Sequence, residues 1–99
     1  SCPAVFLAEA SGRVKRVALI GGSGGSEMGA INACSADTFI TGELKHHEMN
    51  SARDVGANLL VAGHFYTENP VCRAIESFVR ELDGEIECEI FFSDRVKVF

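Results

Sequence analysis

The fold is decided by Leu59-Leu60-Val61-Ala62-Gly63-His64-Phe65-Tyr66-Thr67-Glu68, an apolar run that ends in a glycine, an imidazole and a carboxylate. A continuous apolar run of this kind is typical of a strand covered on both faces of its sheet. Two other apolar runs also end in glycine and polar residues, at Gly21-Gly22-Ser23 and at Thr41-Gly42-Glu43. Because ligands bind beyond the carboxyl ends of parallel strands, the three endings predict one shared cleft.

The remaining elements follow from hydrophobic periodicity and turn residues. Residues 2–10 and 14–20 are predicted to be strands, joined as an antiparallel hairpin by the turn residues Ser11-Gly12-Arg13. Helical spacing of apolar residues predicts helices over 26–35, 47–55 and 70–82. Further strands are predicted over 38–41, 59–62 and 85–90, the last from strict alternation of glutamate with apolar residues. The order β-β-α-β-α-β-α-β predicts a layered α/β fold with a mixed, mostly parallel sheet.

Bulk properties exclude several classes of protein. Residues 1–99 suffice for a single α/β domain, and 46% hydrophobic with 23% charged residues is ordinary for a globular protein. A net charge of −5 argues against a nucleic-acid partner. The sequence has no apolar run of the ~20 residues that span a bilayer, so no membrane partner is expected.

Cysteine usage predicts a reducing, cytoplasmic compartment. Cys2, Cys34, Cys72 and Cys88 are far apart, and no C-x-x-C pair occurs. The last three lie in apolar patterns, which predicts buried, reduced thiols.

The glycine-rich loop at 21–27 follows a predicted strand and opens a predicted helix. Exposed backbone N–H groups in such a loop suit an anion or a phosphate, and a tight strand-to-helix turn explains the glycines equally well. The loop lacks the G-K-[ST] ending of a P-loop, and the dinucleotide pattern fails at Glu27. It is therefore not a nucleotide fingerprint.

The next segment, Thr41-Gly42-Glu43-Leu44-Lys45-His46-His47-Glu48, carries two adjacent histidines. Neighbouring side chains point in different directions, so His46 and His47 are not expected to bind one metal ion. Glu43 directly follows a strand and is aimed at the predicted cleft. It suits a general base, a group that holds a metal-bound water, or a helix cap.

The strongest pair of candidate ligands is His64 and Glu68. Neutral imidazole nitrogen and carboxylate oxygen both bind zinc-like divalent ions. A single histidine after a strand is more often structural than catalytic, and a metal site normally has three or four protein donors. The sequence offers no clear third donor and no Ser-His-Asp or Cys-His arrangement.

Three ordered motifs, in Gly21-Gly22-Ser23-Gly24, in residues 36–47 and in Gly63-His64-Phe65-Tyr66-Thr67-Glu68, resemble the C-terminal part of the Nif-three-like family. Its members are also known as dinuclear-metal-centre hexameric proteins or GTP cyclohydrolase 1 type 2 homologues. The resemblance covers residues 14–99 and implies the fold of one lobe of this family. It implies that His64 and Glu68 are ligands of a two-metal site, and that Glu43 and His47 lie on the same cleft and have catalytic roles, either in contact with the metal ligands or at the substrate.

The resemblance also implies what this chain lacks. The family's remaining ligands belong to an H-H-P motif and a downstream aspartate of an N-terminal lobe, whereas His46-His47 is followed here by Glu48. We therefore expect the chain to be the C-terminal lobe of a longer, homohexameric protein that binds two divalent ions, whether zinc, manganese, iron or magnesium. Alone, it is expected to bind metal weakly or not at all, and to self-associate or remain a dimer through the face meant for the missing lobe.

Three functional hypotheses follow from these features. The first is a metal-dependent hydrolase acting on a small-molecule, nucleotide-like substrate. The second is a non-catalytic metal-binding module that serves assembly or regulation, and the third is a folding unit without a site. The substrate, the reaction and the metal are not specified by the sequence.

Overall fold

A computed structural model describes residues 5–10 and 12–97. Its strands form one four-stranded sheet in the order β1-β4-β3-β2. The strands are β1 (Phe6–Ala8), β2 (Val17–Ser23), β3 (Thr38–Glu43) and β4 (Asn58–Val61). The helices are α1 (Met28–Ala33), which follows a 3₁₀ turn at Gly25–Glu27, α2 (His46–Asp54), α3 (His64–Glu68) and α4 (Pro70–Leu82).

The sheet is mixed and mostly parallel, as predicted. β2, β3 and β4 run parallel, with Leu19 opposite Ile40 and Ile40 opposite Leu60. α1 and α2 make the two crossover connections between them, and β1 pairs antiparallel with β4. The α/β class predicted from the order of elements is therefore confirmed.

The hydrophobic core lies on one face of the sheet. Phe39 and Leu59 are fully buried there, because period-2 alternation turns them to the same face of neighbouring strands. The rest of this buried cluster comes from strand β4 and from the helices and loops above it, namely Ile31, Leu44, Ala52 and Val61. The core therefore fixes the three parallel strands, whose carboxyl ends carry the candidate site residues.

The predicted hairpin of residues 2–10 and 14–20 is wrong. β1 and β2 lie at opposite edges of the sheet, and neither pairs with the other. The buried Asn58 side chain explains the connection, because it accepts a hydrogen bond from the Ala10 N–H (3.0 Å) and donates one to the Arg13 carbonyl (3.1 Å). The linking chain thus crosses the amino ends of the central strands. Residues 2–4 and 11 lie outside the described residues.

The predicted strand at 85–90 is also wrong, because the structure assigns no strand to these residues. The two edges of the sheet are β1 and β2, so this segment has no ladder partner in the sheet. Cys88 and Ile90 are half-buried, whereas Ile86 and the three glutamates of the segment are exposed. The alternation in sequence therefore corresponds to alternating burial only over residues 87–90, and to no strand pairing.

Helices α1, α2 and α4 match the predicted helices within a few residues. Gly56 has a positive φ of 80° just beyond α2, and Pro70 opens α4, as expected for these residues. The separate helix α3 was not predicted. No helix among residues 5–10 and 12–97 is both long enough and apolar enough to cross a bilayer.

The prediction that the last three cysteines are buried is wrong for Cys34, which is exposed at the end of α1. Cys72 and Cys88 are half-buried, and all three are free thiols. Cys34 follows the apolar helix positions in sequence, but α1 ends at Ala33, and Cys34 is the exposed residue that caps it.

Candidate metal centre

The three glycine-plus-polar endings meet at one place, as predicted. A Cβ atom at Gly22 would lie 2.9 Å from the carboxyl carbon of Glu68 and 3.2 Å from Nε2 of His64. A Cβ atom at Gly42 would lie 2.7 Å from the His64 Cα atom. A methyl group at Gly42 would therefore meet the backbone of helix α3, and one at Gly22 would meet the ends of two α3 side chains, because the helix packs directly on the carboxyl ends of β2 and β3.

The end of β2 is irregular at this point. Ile20 pairs with Thr41 and Ser23 pairs with Glu43, so β2 contains one residue more than β3 over this interval. Gly22 lies in this bulge with a φ of 70°. The bulge turns the Gly22 N–H toward helix α3, where it donates a hydrogen bond to Thr67 Oγ1 (2.9 Å).

Helix α3 places its two candidate ligands on one face. Gly63 precedes the helix with a φ of 86°, and His64 and Glu68 are its first and last residues. Residues four positions apart are neighbours on a helix surface. His64 Nε2 consequently lies 3.2 Å from Glu68 Oε2.

The imidazole of His64 is held between two carboxylates. Its other ring nitrogen, Nδ1, lies 2.9 Å from Glu43 Oε2, at the end of β3. All three side chains are at least half exposed, so the site is open to solvent. We call Glu43, His64 and Glu68 the His64 cluster.

The electrostatics of the cluster favour a positive charge at its centre. The hydrogen bond with Glu43 raises the pKa of His64 above its usual 6.5, and partial desolvation opposes this increase. The negative charges of Glu68 and Glu43 raise the pKa further. Two carboxylates around one imidazole therefore attract a cation, whether a proton or a metal ion.

Two threonines that the sequence interpretation missed hold this arrangement together. Thr67 Oγ1 accepts the Gly22 N–H, and its one hydroxyl hydrogen is shared between the carbonyls of Gly63 and His64, each 3.1 Å away. Thr41 is fully buried and donates from Oγ1 to the Gly22 carbonyl (3.3 Å). The only sequence signal for Thr67 was its place next to Glu68, since its partner is 45 residues away.

The two adjacent histidines lie outside this cluster. His46 and His47 are exposed at the start of α2, and no described residue forms a hydrogen bond or ion pair with the His47 imidazole. His47 contributes only its carbonyl, which accepts the Ser51 hydroxyl (2.9 Å). The structure therefore brings Glu43, His64 and Glu68 together and leaves His47 apart.

The glycine-rich loop packs against a carboxylate. A Cβ atom at Gly25 would lie 2.6 Å from the carboxyl carbon of Glu48, whose Oε2 accepts the Lys45 N–H (2.7 Å). A carboxylate in contact with the loop repels an incoming anion. This contact favours the tight-turn interpretation over the anion-binding one.

The donor set suits a divalent ion but does not complete a site. Two ligands of a tetrahedral zinc ion, each ~2.0–2.1 Å from the metal, are about 3.4 Å apart, and the Nε2–Oε2 separation is 3.2 Å. Among the described residues, no three His, Cys, Asp or Glu side chains converge on one point. The reason is geometric, because Glu43 and Glu68 contact opposite edges of the imidazole ring.

The fold and the cluster define a class of protein: an α/β lobe that presents a histidine and two carboxylates beyond its parallel strands. A profile of the Duf34/NIF3 family (NGG1p interacting factor 3) matches residues 2–97. The chain therefore belongs to this family, and the resemblance inferred from its motifs is confirmed.

Individual relatives agree with this assignment. A GTP cyclohydrolase 1 type 2 homolog of Nostoc sp. is 36% identical over 70 residues, which are 71% of this chain and 27% of that protein. The Clostridium perfringens protein of the same name is 35% identical over 75 residues, covering 75% of this chain and 29% of that protein. The chain thus spans less than a third of the length of these curated relatives.

Solved structures share the fold. A Staphylococcus aureus protein superposes with a TM-score of 0.81 at 27% identity, over 99% of this chain and 30% of its own. A Bacillus cereus protein related to NIF3 gives a TM-score of 0.82 at 20% identity, over 98% of this chain and 28% of its own. The backbone described above is therefore the NIF3-like fold.

Proposed function

We propose that this chain is a divalent-metal-binding protein of the Duf34/NIF3 family and contributes half of the ligands of a dinuclear centre. The single observation that carries the proposal is the His64 imidazole held between Glu43 and Glu68, at 2.9 and 3.2 Å. In this proposal His64 Nε2 and a Glu68 oxygen bind metal. The ions are zinc, manganese, iron or magnesium.

In this proposal Glu43 orients the imidazole ring of His64. Metal-binding histidines generally donate their second ring N–H to a carboxylate, which fixes the tautomer and the ring orientation. Glu43 contacts Nδ1 and so leaves the Nε2 lone pair facing Glu68. Its contact with Nδ1 supports a role in orienting the ligand, alongside the catalytic role that the family resemblance implies.

The other donors are proposed to come from outside these residues. The curated relatives are more than three times as long as the segment that matches this chain. Two donors hold a zinc-like ion weakly, since catalytic zinc sites have three protein ligands. In the whole protein, we propose that an additional lobe supplies the missing donors and that several copies assemble as a homo-oligomer.

The proposed activity is metal-dependent hydrolysis of a small, nucleotide-like molecule. When bound, divalent ions supply an activated water and a positive charge that orients a substrate oxygen. This chain's residues hold the ligands in place, and Glu43, at the end of β3, would position the water nucleophile or accept its proton. The relatives' names as GTP cyclohydrolase 1 type 2 homologs support the nucleotide class of substrate.

A second candidate is a non-catalytic metal-binding module that serves assembly or regulation. One observation favours it: the Glu43 carboxylate is already paired with Nδ1 of His64, which makes it less available as a base for a nucleophile. Both candidates require the same metal ligands. They differ in whether Glu43 is needed for turnover.

Metal binding is tested with Mn²⁺ on the 99-residue chain. Paramagnetic line broadening detects weak binding, and we expect it to be strongest at the amides of His64 and Glu68. His64→Ala should abolish this local broadening. His47→Ala is the matched control, since it removes another exposed histidine that lies outside the cluster. Equal broadening in wild type and His64→Ala would refute the proposed site.

Hydrolysis is tested separately on the whole protein that contains this chain, with nucleoside triphosphates and Mn²⁺ as probes. Glu43→Gln keeps an oxygen acceptor for Nδ1, so metal broadening should persist within about tenfold of wild type. Under the hydrolase proposal the same change abolishes turnover. Full turnover in an active Glu43→Gln preparation would exclude a catalytic role for Glu43 and favour the assembly module.

A further inference from the structure

Helix α3 requires support from outside itself. It has five residues, no side-chain cap and no buried residue. A helix this short is not stable alone in water, because nucleation fixes several residues before many hydrogen bonds form. On the sheet side it is held by Thr67, which accepts the Gly22 N–H. A second set of contacts to the helix comes from outside the sheet.

That second set comes from the C-terminal segment, residues 91–96, which we call the strap. The rings of Phe65 and Phe92 pack edge to face, with centroids 4.9 Å apart and an interplanar angle of 81°. The Tyr66 hydroxyl donates a hydrogen bond to Asp94 Oδ2 at 2.6 Å. The other Asp94 oxygen accepts the Val96 N–H (3.1 Å), so a local turn fixes the carboxylate.

The Tyr66–Asp94 hydrogen bond has the length of a charge-assisted one. O–H···O⁻ bonds are about 2.5–2.7 Å long and stronger than neutral hydrogen bonds. The same bond lowers the pKa of Asp94, with help from the Val96 N–H. Asp94 is therefore ionised at neutral pH, and it holds the tyrosine hydroxyl in a fixed position.

Tyr66 connects the strap to the start of the helix. Its ring carbon Cδ2 lies 3.0 Å from the position that a Cβ atom on Gly63 would take. Gly63 has a positive φ and directly precedes His64. Phe65 and Tyr66 also pack edge to face on each other, with centroids 5.5 Å apart. A change at the strap therefore reaches the turn that sets the direction of the His64 side chain.

We infer that the strap is a positioning element of the site: Tyr66–Asp94 and Phe65–Phe92 hold helix α3 against the sheet and so fix the geometry of His64 and Glu68. Asp94 bonds to the Tyr66 hydroxyl and to the Val96 N–H, so it acts on His64 through helix α3. The effect on metal binding rests on the proposed function. The effect on helix α3 does not.

The first test uses metal-free protein and amide hydrogen exchange. Thr67 and Asn69 N–H groups close the helix by bonding to Gly63 and Phe65 carbonyls, at 3.1 and 2.8 Å. Tyr66→Phe removes a single oxygen atom and should speed exchange of these two amides about tenfold, because a bond to a charged group is lost. Amides of α2 (His46–Asp54) should be unaffected. Ser93→Ala is the matched control within the strap.

The second test uses Co²⁺ as a spectroscopic probe of ligand geometry. Tyr66→Phe should weaken Co²⁺ binding about three- to tenfold and shift its visible absorption, since a displaced imidazole changes the ligand field. Asp94→Asn retains an oxygen acceptor and should recover most of the wild-type spectrum, whereas Asp94→Ala should not. Recovery by Asp94→Asn separates positioning from a simple effect of charge.

The outcomes are distinct. Unchanged hydrogen exchange at Thr67 and Asn69 in both Tyr66→Phe and Asp94→Ala would refute the inference that the strap holds helix α3. Faster exchange with no Co²⁺ binding to any variant, wild type included, supports the strap and refutes the metal proposal. Faster exchange with unaltered Co²⁺ affinity and spectrum would refute the inference that the strap fixes the position of His64. If Tyr66→Phe does not fold, the comparison of Asp94→Asn with Asp94→Ala decides by the same criteria.

Discussion

Replacing Gly22 by alanine places a methyl group inside the candidate metal centre. The new Cβ atom would lie 2.9 Å from the carboxyl carbon of Glu68 and 3.2 Å from Nε2 of His64. Ordinary contacts begin at 3.4 Å, so the Glu68 carboxyl carbon must retreat by at least 0.5 Å. Metal-ligand distances tolerate only about 0.2 Å. We therefore expect divalent-metal affinity to fall about 10- to 100-fold, as when a supporting contact of a metal site is lost.

The stability cost of this change has a separate origin that can be controlled. Gly22 has a φ of 70°, and alanine in this left-handed region costs about 1–2 kcal/mol. Gly56 has a φ of 80° and open space around its Cβ position, so Gly56→Ala carries the same backbone strain without the clash. Since the exposed Glu68 side chain can swing away, the two variants should lose similar stability in urea denaturation.

Mn²⁺ line broadening at the His64 and Glu68 amides then separates the two effects. Gly22→Ala should lose the broadening, and Gly56→Ala should retain it. If Gly22→Ala binds Mn²⁺ as tightly as Gly56→Ala, the clash does not reach the ligands and the geometric reasoning is refuted. If both variants lose binding equally, backbone strain rather than the methyl group is responsible.

Three further predictions concern pH, anchoring and packing. Because the folded-state pKa of His64 is raised above 6.5, the cluster stabilises the metal-free protein fully below about pH 6.5 and loses this contribution as pH rises through the raised pKa. Mn²⁺ binding strengthens over the same pH range, since the metal binds the neutral imidazole. Urea titrations at several pH values should show the decline in stability in wild type but not in His64→Ala. Thr67→Val leaves the Gly22 N–H without its acceptor and should cost about 1–3 kcal/mol in free energy of unfolding, and Thr67→Ser should restore most of it; equal stability of the two variants would contradict the anchoring role. Phe39→Ala removes a fully buried ring and should cost about 3–5 kcal/mol by thermal or urea denaturation, and a loss below 1 kcal/mol would show that the core is not packed as described.

Local patterns predicted the parallel part of the fold well. The apolar runs before Gly22, Gly42 and Gly63 are strands β2, β3 and β4, and their carboxyl ends converge as expected. Helices α1, α2 and α4 followed from apolar spacing and from turn residues. These elements were predictable because each is encoded within ten or so neighbouring residues.

Two predictions that depended on strand pairing failed for a common reason. The hairpin of residues 2–10 and 14–20 and the strand at 85–90 both had suitable local sequence. Pairing, however, depends on which strand edge is available, and Asn58 directs the first connection across the sheet. Strand partners are a property of the assembled sheet and not of the segment.

The sequence by itself determined that glycines would end three strands beside polar groups, and that the side chains of His64 and Glu68 would be neighbours, because these features depend on spacing along the chain. Only the tertiary structure decided that Glu43 contacts Nδ1 of His64 and that His47 lies apart. It alone placed Asp94 on Tyr66, 28 residues away. The physical reason is that hydrogen bonds between distant segments depend on how strands and helices pack, which no local pattern records.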